Sequence, residues 1–172
     1  MNNQINLEKI YVYPTDTIYG IGCDATNDKL VLKIRSIKKR DEKPFSIIAP
    51  SKNWIKNNFE IIHPEYLDKL PGPYTLVMKP KNNSIISKHI SYSGKVGVRI
   101  PDCNFSKLVS KSEKPFVTTS VNISGEPHLV NPKKLKKEIK SKVDVIIDEG
   151  ILSGKPSTVI DISLKKPLIL RK

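Results

Sequence analysis

The chain has 172 residues, enough for one domain with a proper core and too few for two comfortable ones. Its two cysteines, Cys23 and Cys103, and three scattered histidines exclude a disulfide framework and argue against a metal centre built from protein ligands alone. Lys and Arg outnumber Asp and Glu 30 to 17, and the resulting charge of +13 fits either a polyanionic partner or a merely lysine-rich composition.

The opening stretch MNNQINLEKIYVYP has no basic start followed by an apolar run, so no export signal is expected there. No segment approaches the ~20 apolar residues of a membrane helix. With few cysteines, a reducing cytoplasm is the expected setting.

In chain order, Ile10 to Tyr13 reads as a strand stopped by Pro14. Asp28 to Lys39 reads as an amphipathic helix with Leu30, Val31, Ile34 and Ile37 on one face, and Arg35 is expected on its surface. Phe45 to Ala49 is a short strand, Ser51 caps a helix through Asn57, and Pro64 to Leu70 forms another. Strands follow at Tyr74 to Met78 and Val96 to Ile100, then a helix at Phe105 to Ser110 and a strand at Phe116 to Thr119. Asn131-Pro132 starts a helix that carries the run Lys133-Lys134-Leu135-Lys136-Lys137-Glu138, read as a solvated face. Val143 to Ile147, Thr158 to Ile162 and Leu168 to Leu170 are the last strands. Strands and helices that mix without strict alternation indicate an α/β sheet with parallel and antiparallel pairs.

Only four arginines occur: Arg35, Arg40, Arg99 and Arg171. A chain that defaults to lysine keeps arginine where a planar fork must meet phosphate or carboxylate, which singles out Arg40, Arg99 and Arg171.

Four segments join turn residues to hydroxyls, amides or cations at strand ends, where binding sites collect. The first, YPTDTIYGIG from Tyr13 to Gly22, is a binding loop or a turn capped by Asp16. Lys38-Lys39-Arg40-Asp41-Glu42-Lys43-Pro44 is a phosphate clamp or simply cations favoured at a helix end. On the strand Val96-Gly97-Val98-Arg99, Arg99 faces away from Val98 and needs either an internal Asp or a substrate carboxylate. Thr118-Thr119-Ser120-Val121-Asn122-Ile123-Ser124-Gly125 offers neutral donors to phosphate or ribose, or forms a Ser/Asn turn. No GxxxxGK[ST] loop is present.

Taken in order, YPTDTIYGIG, the KxR and KP segment, PGPYT from Pro71 to Thr75, VGVRIPD, TTSVNISGEP and STVID resemble the YrdC-like threonylcarbamoyl-AMP synthase family across nearly the whole chain. The resemblance implies one YrdC-like domain over 1–172, an α/β fold in which a twisted mixed parallel and antiparallel sheet, flanked by helices, curves around a basic cavity. It also implies a nucleotidyltransferase that joins L-threonine, bicarbonate and ATP into threonylcarbamoyl-AMP and pyrophosphate. Mg2+ would be held mainly through the ATP phosphates. The product would pass to a transfer complex that modifies tRNA, with weak tRNA binding a further expectation.

By the family pattern Lys38 and Arg40 are catalytic. Arg40, Lys43, Thr118, Ser120, Asn122 and Arg171 bind ATP, while Thr17, Arg99 and Ser157 bind threonine. Three departures stand out: the usual SAN triplet is Ser120-Val121-Asn122, the interval from Arg40 to Lys43 is one residue short, and Ile48-Ala49 lies where many relatives carry a histidine. Two alternatives stay open. One is a non-catalytic RNA-binding module of the same fold, which the 6% aromatic content disfavours. The other is an adenylating enzyme for a different carbamoyl group, as in hydrogenase maturation, where the fold is usually part of a longer chain.

Overall fold

The computed structural model describes residues 4–172; Met1 to Asn3, the start of the stretch read as lacking an export signal, lie outside it. Strands β1 (Tyr11–Tyr13) and β2 (Gly20–Gly22) come first, followed by helix α1 (Asp28–Lys38), β3 (Ser46–Ile48) and α2 (Lys52–Asn58). A 3-10 turn at Pro64–Lys69 leads to β4 (Tyr74–Met78) and β5 (Val96–Arg99), with a second such turn at Asn83–Ile85 between them. Then come α3 (Asn104–Ser112), β6 (Phe116–Ser120), a 3-10 turn at Pro132–Lys134 and α4 (Lys137–Lys140). Strands β7 (Val145–Ile146), β8 (Thr158–Asp161) and β9 (Leu168–Arg171) complete the chain.

The strands form one sheet in the order β7-β1-β2-β6-β3-β5-β4-β8-β9. Pairs β1/β7, β3/β5 and β4/β8 are parallel; β1/β2, β2/β6, β3/β6, β4/β5 and β8/β9 are antiparallel. Strand β2 escaped the sequence reading because Gly-Ile-Gly carries almost no strand signal. Its glycine is required, since a Cβ on Gly22 would lie 1.8 Å from the Val117 carbonyl oxygen of β6.

Alternation along the strands gives the two faces different tasks. Val12, Ile21, Ile47, Leu76, Val98, Val117 and Ile160 join Val31, Ile34 and Ile37 of α1 and Ile55 of α2 in the main core. The opposite face is covered only in part. Phe105 and Val109 of α3 pack on Tyr11, Tyr13, Ile48 and Phe116, with the Tyr13 and Phe105 rings stacked at 3.8 Å. Beyond that apolar plug the same face presents mainly polar or small residues. One register row runs Thr118, Ser46, Gly97, Val77 and Asp161 across five neighbouring strands.

The expected helix after Asn131-Pro132 is broken into a 3-10 turn and a short α-helix. Leu135, at ψ 123, ends the first piece, and Leu135 and Ile139 are both drawn into the core. Helix α1 follows its capping signals: Asn27 accepts from the Leu30 N–H, and Lys39 adopts the left-handed conformation at the other end, with its N–H on the Arg35 and Ser36 carbonyls.

The surface placement expected for Arg35 is wrong. It is buried at 6% exposure and hydrogen-bonded to five backbone carbonyls. Nε donates to His89 O at 2.7 Å, Nη1 to the carbonyls of Arg40, Asp41 and Lys43, and Nη2 to Ile90 O. Its guanidinium lies 4.5 Å from the Phe45 ring centroid and 5.0 Å from that of Tyr92. A planar fork can gather two loops in this way, where a lysine ammonium cannot. We predict that Arg35→Met costs about 3 kcal/mol of stability, since several buried carbonyls lose a charge-assisted donor. Denaturant unfolding would check this, and Arg35→Lys should restore only a minor part.

Candidate functional site

Above the polar row lies a cavity of about 400 Å³. Its floor is Ser46, Thr75, Val77, Gly97, Arg99 and Thr118; its walls include Thr15, Thr17, Arg40, Lys95, Ser120, His128, Ser157, Asp161 and Arg171. Gly97 keeps the floor low, because a Cβ there would meet Ser46 Oγ at 2.5 Å and the Thr75 methyl at 2.9 Å.

Strand β5 is central. Lys95, Gly97 and Arg99 alternate with core residues, so all three face the cavity, with a cation on either side of a residue without a side chain. Arg99 is buried and paired with Asp16, Nη2 to Oδ1 at 2.5 Å, while Asp16 Oδ2 accepts the Asp102 N–H at 3.0 Å. The internal Asp and the cavity therefore share this arginine. Its Nε is buried without a hydrogen-bond partner among the described residues. Burial pushes its pKa down, and Asp16 opposes that shift.

Around Arg99 the hydroxyls are ordered. Thr15 Oγ1 must donate to the Ile18 carbonyl, at 2.7 Å, and it accepts the Thr17 N–H at 3.1 Å. The Thr15–Thr17 hydroxyl contact of 2.9 Å therefore takes its proton from Thr17, which leaves Thr17 Oγ1 as an acceptor toward any further partner. Gly154 fixes the opposite wall close by, as a Cβ there would lie 2.0 Å from the Thr17 carbonyl oxygen. Ser157 Oγ meets Thr75 Oγ1 at 2.8 Å, and Arg171 donates to the Ser157 carbonyl from Nε at 3.0 Å and from Nη2 at 2.8 Å. Burial and the neighbouring Arg99 charge both lower the Arg171 pKa, which leaves two cations on one side of the cavity.

At the other side Arg40 has no carboxylate partner among the described residues. Its nitrogens donate to Thr119 Oγ1, Lys43 O and Pro44 O at 3.2, 3.2 and 2.8 Å. Burial lowers its pKa, and the Arg35 charge adds to the effect. His128 also lines the cavity, held below its ordinary pKa by burial and by the Arg171 and Lys38 charges.

Of the residues expected from the sequence, Thr17, Arg40, Arg99, Thr118, Ser120, Ser157 and Arg171 come together around this cavity. Lys38, Lys43 and Asn122 are not among its lining residues. Lys38 is almost fully buried behind the wall, with its ammonium donating to Ser120 O, to Asn122 O at 2.9 Å and to Asn122 Oδ1 at 3.0 Å. Ser120 Oγ donates to the same Oδ1 at 2.6 Å, and Asn122 Nδ2 to Glu126 O at 2.6 Å. Lys38 and Asn122 thus shape the turn after β6. Lys43 is exposed, and its carbonyl accepts from Arg35 and Arg40. The sequence reading missed Lys95, Asp161, Ser46, Thr75 and His128 as lining residues. For Lys95 the signal was available, since it stands four residues before Arg99 on one strand face.

Among the described residues no group of three or more His, Cys, Asp or Glu could hold a metal ion, and no helix is long and apolar enough to cross a membrane.

The family model for Sua5, YciO and YrdC, described as telomere recombination, matches residues 3–172. A protein of Methanocaldococcus jannaschii is 37% identical over 171 residues, spanning 95% of this chain and 79% of the relative. The threonylcarbamoyl-AMP synthase of Vibrio parahaemolyticus is 29% identical, spanning 99% of this chain and 95% of the relative. The structure of P. abyssi Sua5 complexed with L-threonine superposes with a TM-score of 0.85 at 30% identity, covering 95% of this chain. This chain spans 50% of that longer protein. By the match along its length and the shared sheet, the chain belongs to the Sua5/YciO/YrdC family.

Proposed function

We propose that the chain is an L-threonylcarbamoyladenylate synthase, which forms threonylcarbamoyl-AMP and pyrophosphate from L-threonine, bicarbonate and ATP for tRNA threonylcarbamoyladenosine modification. The observation that carries this reading is the cavity itself, where Arg99 of β5 and Arg40 of the loop after α1 both line a space cleared by Gly97. An amino-acid carboxylate and a polyphosphate need cations at separate ends of one cleft. The relative named threonylcarbamoyl-AMP synthase and the threonine-bound Sua5 support the same choice of ligands.

In this reading the threonine carboxylate meets Arg99, whose buried Nε awaits an acceptor. Thr17 Oγ1, with its own proton spent on Thr15, accepts the N–H of the substrate amine or carbamate. Ser157, held by Arg171 and Thr75, closes that end. Arg40 receives the phosphates, and Thr118, Ser120 and the turn shaped by Asn122 and Lys38 line the nucleotide. A carbamate oxygen attacks the α-phosphorus, its bond to phosphorus forms as the α–β bridge breaks, and pyrophosphate leaves with the electron pair. Catalysis is then positioning plus stabilisation of the developing charge, with no protein nucleophile.

Among the described residues Asp161 is the one carboxylate of the lining, and Lys95 and Ser163 already bind it. Mg2+ would accordingly ride on the phosphates and water, neutralising their charge. A cytoplasmic setting and delivery of the adenylate to transfer-complex proteins acting on tRNA complete the proposal.

The direct test is pyrophosphate release from ATP with Mg2+. Release should require both L-threonine and bicarbonate, and folded protein that shows no threonine dependence would sink the proposal. Arg99→Ala should raise the KM for threonine about tenfold or more and that for ATP much less, with Arg40→Ala showing the reverse, as expected for lost charge-assisted contacts. Loss of both substrates equally in either variant would remove these roles.

Lys38 gives a pH signature. Burial, with Arg40 nearby, lowers its pKa from 10.5 to about 7. From about pH 7 up to its unfolded value, the unfolded chain binds the proton that the folded chain has released, so the penalty of the buried charge fades as pH rises. The wild type should therefore gain stability relative to Lys38→Met between pH 7 and 10. Parallel unfolding curves at several pH values would read that difference, and a constant gap would refute it.

A further inference from the structure

An amino-acid carboxylate and a polyphosphate are both anions, and the polyphosphate, with more charge, is drawn to every cation of the cavity unless those cations differ. Its three arginines do differ. Arg40 donates only to neutral oxygens among the described residues, those of Thr119, Lys43 and Pro44. Arg171, exposed at the rim, donates to the Ser157 carbonyl and hydroxyl. Among the described residues Arg99 alone of the three has a carboxylate partner, Asp16.

Asp16 is held by both of its oxygens. Oδ1 accepts from Arg99 Nη2 at 2.5 Å and Oδ2 from the Asp102 N–H at 3.0 Å, and the side chain is only 11% exposed. Thr15 and Thr17 on either side of it line the cavity, but Asp16 itself does not. A ligand therefore meets Arg99 and not Asp16, with the carboxylate charge held against the same guanidinium. The Arg99 Nε is buried without a partner among the described residues, so a donor remains for an acceptor in the cavity. The pair thus offers a directed hydrogen bond with little net charge. A second negative charge on the ligand finds no unpaired cation at Arg99, and Asp16 repels it at close range.

We infer that Asp16 is a positioning residue that sets the charge selectivity of the Arg99 end. It orients the guanidinium and offsets its charge, so this end takes a singly charged carboxylate and turns away doubly charged groups of the phosphate type, which are left to Arg40 and Arg171. The inference rests on the synthase reading for its choice of carboxylate, that of L-threonine.

The test is calorimetric titration, without metal, of L-threonine and of two analogues in which a tetrahedral phosphorus acid replaces the carboxyl. The H-phosphinate carries one negative charge, and the phosphonate carries close to two at about pH 8. Wild type should bind the phosphinate about tenfold or more tighter than the phosphonate. Asp16→Asn, which keeps the shape and removes the charge, should bring the two within about twofold. A role in structure alone would weaken all three ligands together and leave the ratio at its wild-type value, which would overturn the inference. Removing the partner of a buried arginine costs stability, so the variant is titrated once circular dichroism shows it folded. Should it not fold, the wild-type ratio decides: a preference for the phosphinate upholds the inference and equal affinity overturns it. No binding of threonine or of either analogue by wild type would overturn it together with the threonine role. Charge-selective binding that depends on Asp16, without threonine-dependent pyrophosphate release, would uphold the inference and refute the synthase reading alone. Threonine-dependent release without charge selectivity would do the opposite.

Discussion

Strand β6 must serve two partners, and the cavity exists because it does. Phe116, Val117 and Thr118 pair with β3, while Thr119 and Ser120 pair with β2. The loop that carries Thr15 and Thr17 hangs between β1 and β2, and Arg99 ends β5 on the far side of β3. Only the divided pairing of β6 brings those halves into one sheet. The constraint is tight: Gly22 is packed against the Val117 carbonyl where no side chain fits, and the Tyr13 hydroxyl donates to that same oxygen at 3.0 Å. Along β6 the exposed chemistry changes with it, from Phe116 under α3 to Thr118 and Ser120 in the cavity.

A second constraint follows from placing cations inside a protein, where an unpaired charge is costly. The chain meets it in three ways. Arg99 has a carboxylate partner in Asp16. Arg35 has five carbonyls and two aromatic faces. Lys38 has two carbonyls and an amide oxygen. Each solution also fixes a wall of the cavity: Asp16 draws the Thr15–Thr17 loop to β5, Arg35 gathers the loop that carries Arg40, and Lys38 sets the turn after Ser120. Buried positive charge thus acts here as a scaffold for the cavity.

This explains what the sequence could and could not reveal. Strands with apolar alternation, such as Tyr74–Met78 and Val96–Arg99, were legible because the core face repeats every second residue. Strand β2 was not, because its residues are chosen for close backbone approach to β6 and carry no strand preference. Arg35 fits a helical pattern as a polar residue on a surface face; its burial depends on loops that fold over it from residues 40–45 and 89–92, which local periodicity does not register. For the site, scarcity of arginine pointed to Arg40, Arg99 and Arg171 through chemistry alone. Lys95 stayed hidden because lysine is common in this chain, and its alternation with Gly97 and Arg99 is what sets it apart.

The same distinction separates the cavity from the rest of the basic surface. Within the lysine-rich stretch, Lys136 is paired with Glu126 at 2.6 Å, and Glu138 with Lys39 at 3.2 Å, all at least partly exposed and therefore weakly coupled and readily screened by salt. Leu135 and Ile139, which interrupt those lysines, point into the core. Nothing in that pattern orients a ligand. Inside the cavity the reverse holds: Arg40 and Arg99 are held by defined acceptors, the hydroxyl protons of Thr15 and Thr17 are already assigned, and Gly97 removes the one side chain that would fill the space between them. Net charge can draw polyanions toward the whole molecule, whereas in the proposed reaction it is this fixed arrangement that would stabilise charge as it moves from the α–β bridge onto a departing pyrophosphate. In that reading specificity resides in a few immobilised groups on β5 and on the loops after β1 and α1, and the remaining lysines act through the general field they create.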